Sequence, residues 1–381
     1  MSEIELVVPF CLPPVELAAD LLRGLELPAL ASLLSRSKDV HLENTSKQFN
    51  NTHESDVYAR SLPHEQWLAR RFGMDADMAA GGSAPVATLL LKLLMEPKNV
   101  AGLQDVGHWF IVQPVHLHIA RDHLVLTDTR QLALPEADSR ILFESAATCF
   151  TDAGMTLHYG GPDYWFVRAD QHRDLRTATP DAACGRNIDI WMPQGDSARS
   201  WRKLQNEIQM DWHTHAVNES RSAAGLVPIN SVWLWGGCSL RATSDGAEST
   251  DSISSTNSTS SAQPVAIFNF TGWLEAFATL ASSSQPNVDA ATVINHTAPH
   301  RLVWLDALAG PALAGDWAEW RSRLQAIEAQ WFVPMRQALT DNKAKQISLI
   351  LTKSDDLRCY TASRASLKKF WVKPTLARLS S

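Results

Sequence analysis

Residues Trp201–Gly237, WRKLQNEIQMDWHTHAVNESRSAAGLVPINSVWLWGG, decide how the rest of the chain is read. On a wheel of ~100° per residue, Trp201, Leu204, Ile208, Trp212 and His215 fall within roughly 80° of one another, with Lys203, Asn206 and Glu207 opposite. That spacing predicts a helix with one buried stripe and His215 on it or at its end. Asn218 and Arg221 follow, Gly225 and Pro228 break the helix, and Val232-Trp233-Leu234-Trp235 is an apolar run stopped by Gly236-Gly237. The stretch reads as helix, polar loop and strand, with the loop at the mouth of a sheet. Its polar groups suit a phosphate or carboxylate: Arg221 as a bidentate fork, His215 and Asn218 as orienting donors. The structural alternative makes His215 a satisfied core histidine and pairs Arg221 with Glu219 or Glu207.

Outward from this stretch the periods change. From Trp109, in WFIVQPVHLHIARDHLVLTD, Val115, Leu117 and Ile119 share one face and His116 and His118 the other, a strand pattern. A helix over 135–152 follows, then strands near 155–159, 164–168 and 187–192, a compact α+β unit. Upstream, residues 4–8 suit a buried strand, helices open at Pro13-Pro14 and Pro28, 63–72 is helical up to Gly73, and 85–95 is an apolar helix. Residues 39–60 are polar and without a period. Residues 243–263, TSDGAESTDSISSTNSTSSAQ, carry too few apolar side chains to offset their ordering entropy and are expected to be a disordered loop. Downstream come a strand at 264–270, a short helix at 273–280, a strand at 302–306, a long helix at 317–339 and a strand at 347–351, an order that implies a parallel pair with a crossover.

The whole chain agrees with a globular α/β protein. It has 381 residues, 45% hydrophobic and 20% charged, enough for one large domain with an insertion or for two. A net charge of −7 without a block of Lys and Arg excludes an extended nucleic-acid surface. The N-terminal MSEIELVVPFCLPP has acidic residues where a signal peptide is basic, and its apolar run is too short to span a bilayer. A cytoplasmic chain with neither nucleic acid nor membrane as partner is therefore expected. The five scattered cysteines read as reduced thiols, Cys184 among them.

Taken in order, several segments resemble a known family. Asn206-Glu207, His215-Ala216-Val217-Asn218, Arg221, Gly225, Pro228-Ile229-Asn230 and Trp235-Gly236-Gly237 resemble the block of archaeal-type cofactor-independent phosphoglycerate mutases that binds and positions the anion. LPALASLLSRS resembles a segment of the alkaline phosphatase superfamily to which those mutases belong, and residues 109–192 resemble their inserted lid. ARDHLVLTD, TPDAACGRNIDIWMP, WRKLQNE and INSVWLWGG resemble a bacterial family labelled phosphoglycerate-mutase-like or "regulatory protein, RpfE type". The resemblance implies an alkaline phosphatase-like three-layer core with a mainly parallel sheet, built from 1–105 and 196–381, with an α+β lid over 106–195. It also places Asn230 with His215, Asn218 and Arg221 as ligand-binding residues for a small anionic, phosphorylated metabolite.

The family's chemistry needs two divalent metals held by Asp and His and a Ser or Thr nucleophile between them. Here the first strand ends in VVPFCLPP with no carboxylate. The nucleophile segment aligns with Leu62-Pro63-His64-Glu65, which puts His64 in place of the serine. The late Asp-His pair corresponds to LILTKSDD, with Asp355 and Asp356 but no His. The resemblance thus implies a degenerate protein in a regulatory role, and a divalent metal finds no support at the family's ligand positions. The enzyme alternative is an active metal-dependent mutase or phosphohydrolase with His64 and Glu65 as a relocated acid/base pair and His116, His118 and Asp355 as relocated ligands, the i, i+2 histidines pointing one way from a strand. His123, Asp122, Asp181 and Asp189 are weaker candidate ligands. For each there is a structural alternative: Glu65 complements a helix N-terminus, and the histidines line a half-exposed strand. A third class, a protein-interaction module, would use the Trp-rich surface to hold a protein partner.

Overall fold

The computed structural model describes residues 2–39, 59–74, 82–95, 107–240 and 265–380, so the 243–263 stretch and most of 39–60 lie outside the described residues. In chain order the strands are β1 (Glu3–Val8), β2 (Lys38–Asp39), β3 (Gly107–Val115), β4 (Leu117–Ala120), β5 (His123–Leu126), β6 (Leu157–Tyr159), β7 (Trp165–Arg168), β8 (Ser231–Leu240), β9 (Val265–Phe268), β10 (Ser283–Gln285), β11 (His300–Trp304), β12 (Gln346–Thr352) and β13 (Leu357–Ser363). The central sheet has seven strands in the order β10-β9-β11-β1-β12-β13-β2. Its first five strands run parallel, and at one edge β13 pairs antiparallel with β12 and β2 antiparallel with β13. This is a mixed α/β protein with a mainly parallel central sheet. Both faces of β9, β11 and β12 are buried along almost their whole length, as parallel strands covered on two sides require.

A second, four-stranded antiparallel sheet has the order β6-β7-β3-β8, and β4 and β5 form a separate hairpin. Alternation sorts the side chains of β3 and β8. Phe110, Val112, Val232 and Leu234 enter a core shared with the helices Glu136–Asp152 and Ala198–His213, while Trp109, Ile111, Trp233 and Trp235 join the main core. The indole N–H groups of the latter pair are satisfied, Trp233 on the Ala178 carbonyl at 2.8 Å and Trp235 on Gln113 Oε1 at 3.1 Å. The α+β unit extends past residue 195, because β8 and the Ala198–His213 helix belong to its sheet and its core.

The predicted stripe Trp201, Leu204, Ile208 and Trp212 is buried. The helix stops at His213, and His215 instead caps the next helix, Ala216–Ala223, its Nδ1 accepting from the Val217 N–H at 3.2 Å. Three other segments differ from the sequence reading. Residues 187–192 contain a 3-10 turn, Ile188–Ile190, because the Asn187 side chain accepts from the Asp189 N–H and turns the backbone away from a strand. The 273–280 helix is a 3-10 helix, Gly272–Thr279. The long helix is interrupted by a π segment, Glu328–Phe332, ahead of Pro334, which lacks the N–H an α-helix would use there. Strands β11 and β12 are parallel, as expected, with β1 between them.

Candidate functional site

In open parallel sheets ligands bind outside the carboxyl ends of the strands. At that edge lies a cluster of buried polar groups. Thr352 ends β12 fully buried, and its Oγ1 accepts from the Phe10 N–H at 3.3 Å and lies 3.1 Å from His64 Nδ1. His64 sits in the first turn of the helix Pro63–Arg71, where Pro63 starts the helix at no cost in lost N–H bonds. Its ring is flanked edge-on by Phe10 and Trp304, at centroid distances of 5.6 and 5.7 Å. Burial lowers its pKa to about 4, so the imidazole is neutral at pH 7.

Glu65, 1% exposed, closes the same helix end: its Oε2 accepts from the Leu62 N–H at 2.7 Å and from Thr179 Oγ1 at 2.8 Å. Burial, with the nearby Asp181 second, pushes its pKa up to about 8 against the opposing hydrogen bonds, so at pH 7 it keeps its proton. The second layer contributes Asp128, Arg130 and Asp181. Arg130 holds Asp181 by two parallel bonds of 3.0 Å each and Asp128 through Nε at 3.3 Å. Asp306, just beyond β11, is raised to about 7 by burial, then by Asp181 and Asp128, with Arg130 opposing. Cys184 beside them is pushed up to about 12 by burial, then by Asp128 and Asp181, and is a thiol.

The edge therefore offers a neutral imidazole, two carboxyls that hold protons near neutral pH, and one cation already engaged by two carboxylates. It can move protons. Among these described residues it presents no free positive charge to a phosphate.

Of the residues singled out from sequence, His64 and Glu65 lie at this edge, but each turns to other partners, His64 to Thr352 and Glu65 to Leu62 and Thr179. His215 is the helix cap already described. Asn218 is spent on backbone, its Nδ2 donating to the Trp212 and Ile229 carbonyls at 2.9 and 2.7 Å and its Oδ1 accepting from the Ile229 N–H at 2.7 Å. Arg221, 2% exposed, donates to the carbonyls of Val227, Leu132 and Ala133. Its carboxylate neighbour is Asp138 at 3.8 Å, not Glu219 or Glu207. Asn230 pairs both ways with the Leu117 backbone at 2.8 Å.

His116 and His118 stack nearly parallel on the β4 side, centroids 6.0 Å apart, and His118 Nδ1 lies 3.0 Å from Thr127 Oγ1. His123 pairs with Asp122 at 3.0 Å, and the Asp189 backbone N–H is taken by Asn187. Asp355 lies on the turn between β12 and β13, bound to Lys353 at 3.1 Å. His116, His118 and Asp355 do not converge: among the described residues no group of three or more His, Cys, Asp or Glu is placed to hold a metal ion. Among the described residues the strand ends do not offer a donor set for two metals either. Cys11 follows β1 as a buried thiol pushed up to about 12, and Asp356 is taken by the Leu357 N–H and Arg358 Nε. The residues missed from sequence are Asp128, Arg130, Thr179, Asp306 and Thr352. Asp306 and Thr352 carry the one signal available, a polar residue at the end of a buried strand.

No family model matches the chain. A probable 2,3-bisphosphoglycerate-independent phosphoglycerate mutase of Geobacter sulfurreducens is 25% identical over 166 residues, 43% of this chain and 40% of that protein. A 2,3-bisphosphoglycerate-independent phosphoglycerate mutase of Methanothrix thermoacetophila is 33% identical over 64 residues, 17% of this chain and 16% of that protein. The matched regions thus span less than half of either relative. Among solved structures, the cofactor-independent phosphoglycerate mutase of Thermoplasma acidophilum superposes with a TM-score of 0.42 at 12% identity, over 100% of this chain and 94% of that one. The chain is distantly homologous to cofactor-independent phosphoglycerate mutases.

Proposed function

We propose that this protein is a phosphoglycerate-mutase-like chain without two-metal phosphotransfer, acting in a regulatory role of the kind the RpfE-type label suggests. One observation carries the reading. The helix end at the carboxyl edge of the sheet holds His64 where the resemblance places the nucleophile, and beside it a buried Glu65 that keeps its proton at pH 7 and is taken by Leu62 N–H and Thr179 Oγ1. A two-metal centre needs anionic or imidazole donors free to coordinate and a hydroxyl nucleophile beside them. The small-anion ligand of this reading rests on the resemblance alone, since Arg221 and Arg130 are both engaged within the chain.

The enzyme alternative, an active phosphohydrolase or mutase with relocated groups, draws on a different observation. Glu65 and Asp306 keep protons to about pH 8 and 7, which suits a general acid. Titration of the purified chain with Mn²⁺ separates the two readings. The proposal expects no stoichiometric binding at micromolar Mn²⁺, and two tightly held ions per chain would overturn it.

A further inference from the structure

Phe370 is 84% and Trp371 70% exposed, and the two rings meet edge to face with centroids 5.2 Å apart. They sit in the run Lys368-Lys369-Phe370-Trp371-Val372-Lys373, which carries three positive charges and no negative one in a chain of net charge −7. None of the three lysines has a salt bridge among the described residues. The segment is held in shape at both ends. Arg36 Nη1 donates to the Leu367 carbonyl at 3.0 Å, Ser35 Oγ donates to the Thr375 carbonyl at 3.1 Å, and the Thr375 N–H returns to Ser35 Oγ at 2.9 Å. Between these anchors the backbone turns on itself, Phe370 N–H to the Lys368 carbonyl and Val372 N–H to the Lys369 carbonyl, at 2.8 and 3.0 Å. The aromatic pair is presented on a braced turn, so its ordering entropy is spent before any partner arrives.

We propose that this turn docks on an anionic lipid surface, Phe370 and Trp371 entering the headgroup region and Lys368, Lys369 and Lys373 meeting the lipid charges. A bilayer interface matches both features at once: it receives amphipathic aromatic rings at headgroup level and attracts clustered lysines. It also demands no complementary shape, which suits a protruding turn. The docking is peripheral, since no helix among the described residues is long and apolar enough to cross a membrane. It departs from the sequence expectation of no membrane partner, which rested on the lack of a spanning run and not on this turn. The inference is independent of the proposed function.

The test is co-sedimentation of the full chain with vesicles of phosphatidylcholine alone and of phosphatidylcholine with phosphatidylserine, at low and raised salt. The wild type is expected to sediment with the anionic vesicles only, and to be released as salt screens the lysines. At about 5-fold per lysine, Lys368→Gln/Lys369→Gln/Lys373→Gln weakens binding on the order of 100-fold. Phe370→Ser/Trp371→Ser abolishes it, and because both side chains are exposed the thermal midpoint stays unchanged. Failure of the wild type to sediment with anionic vesicles, or unaltered binding by both variants, overturns the proposal. Concentration-dependent self-association in sedimentation velocity, lost in the aromatic variant and unaccompanied by vesicle binding, overturns it in favour of a second copy of the chain.

Discussion

Replacing Glu65 by Gln tests the electrostatics of the strand edge. In the folded chain the Glu65 pKa rises from 4.5 to about 8, chiefly through burial. An unfolded chain ionises this group near its ordinary value, so between these two pH values the native state binds more protons than the unfolded state. Stability therefore falls as pH rises through that window, by ~1.4 kcal/mol per pH unit and on the order of 5 kcal/mol in full. His64 acts in the opposite sense. Its pKa is lowered from 6.5 to about 4, so stability is lost as pH falls through that range. The two slopes oppose each other below pH 6.5, and above it Glu65 dominates, with Asp306 titrating out near pH 7.

Wild-type stability should thus drop by ~2 kcal/mol between pH 6.5 and 8, read by urea unfolding followed through tryptophan fluorescence. In Glu65→Gln the amide oxygen still accepts from Leu62 N–H and Thr179 Oγ1, and the drop across this window should shrink to the share of Asp306, below ~1 kcal/mol. The new amide N–H groups shift absolute stability by ~1–3 kcal/mol if unpartnered, so the slope is the readout. A variant that keeps the full wild-type slope would refute the placement of a protonated Glu65 at this edge.

Two further outcomes follow from the packing. Arg221→Met leaves the Val227 and Leu132 carbonyls without their buried donor and should cost ~3 kcal/mol in urea unfolding; a cost below ~0.5 kcal/mol would mean that the side chain is not spent on these carbonyls. Gly236 has φ +73° and an added Cβ would come within 3.0 Å of Ile111 Cδ1, so Gly236→Ala should lose ~2 kcal/mol by thermal or urea denaturation.

Periodicity made much of the fold legible because burial here follows it closely. The stripe Trp201, Leu204, Ile208 and Trp212 is buried, and the alternation at Trp109–Val115 sorts side chains between two cores. What it could not show was set by single side-chain bonds to backbone. Asn187 turns 187–192 out of a strand, and His215 starts a new helix where the wheel continued the old one. The pairing of β8 with β3 is a contact over more than a hundred residues, invisible to any local window, and it draws residues 231–240 into the second sheet. The polar site was half legible. His64 and Glu65 stood out as an acid/base pair opening a helix, whereas Asp128 with Arg130, Thr179, and Asp306 come from three separate segments that only the folded chain assembles. Arg221 and Asn218 looked like ligand groups because sequence lists donors without showing that the chain's own carbonyls take them.

The most direct measurement of the central claim is phosphoglycerate mutase turnover by the purified chain with excess Mn²⁺, run beside an active cofactor-independent mutase. If two-metal phosphotransfer is lost, as proposed, the chain interconverts 2- and 3-phosphoglycerate no faster than buffer. Turnover that rises with Mn²⁺ and disappears with a chelator would contradict the account.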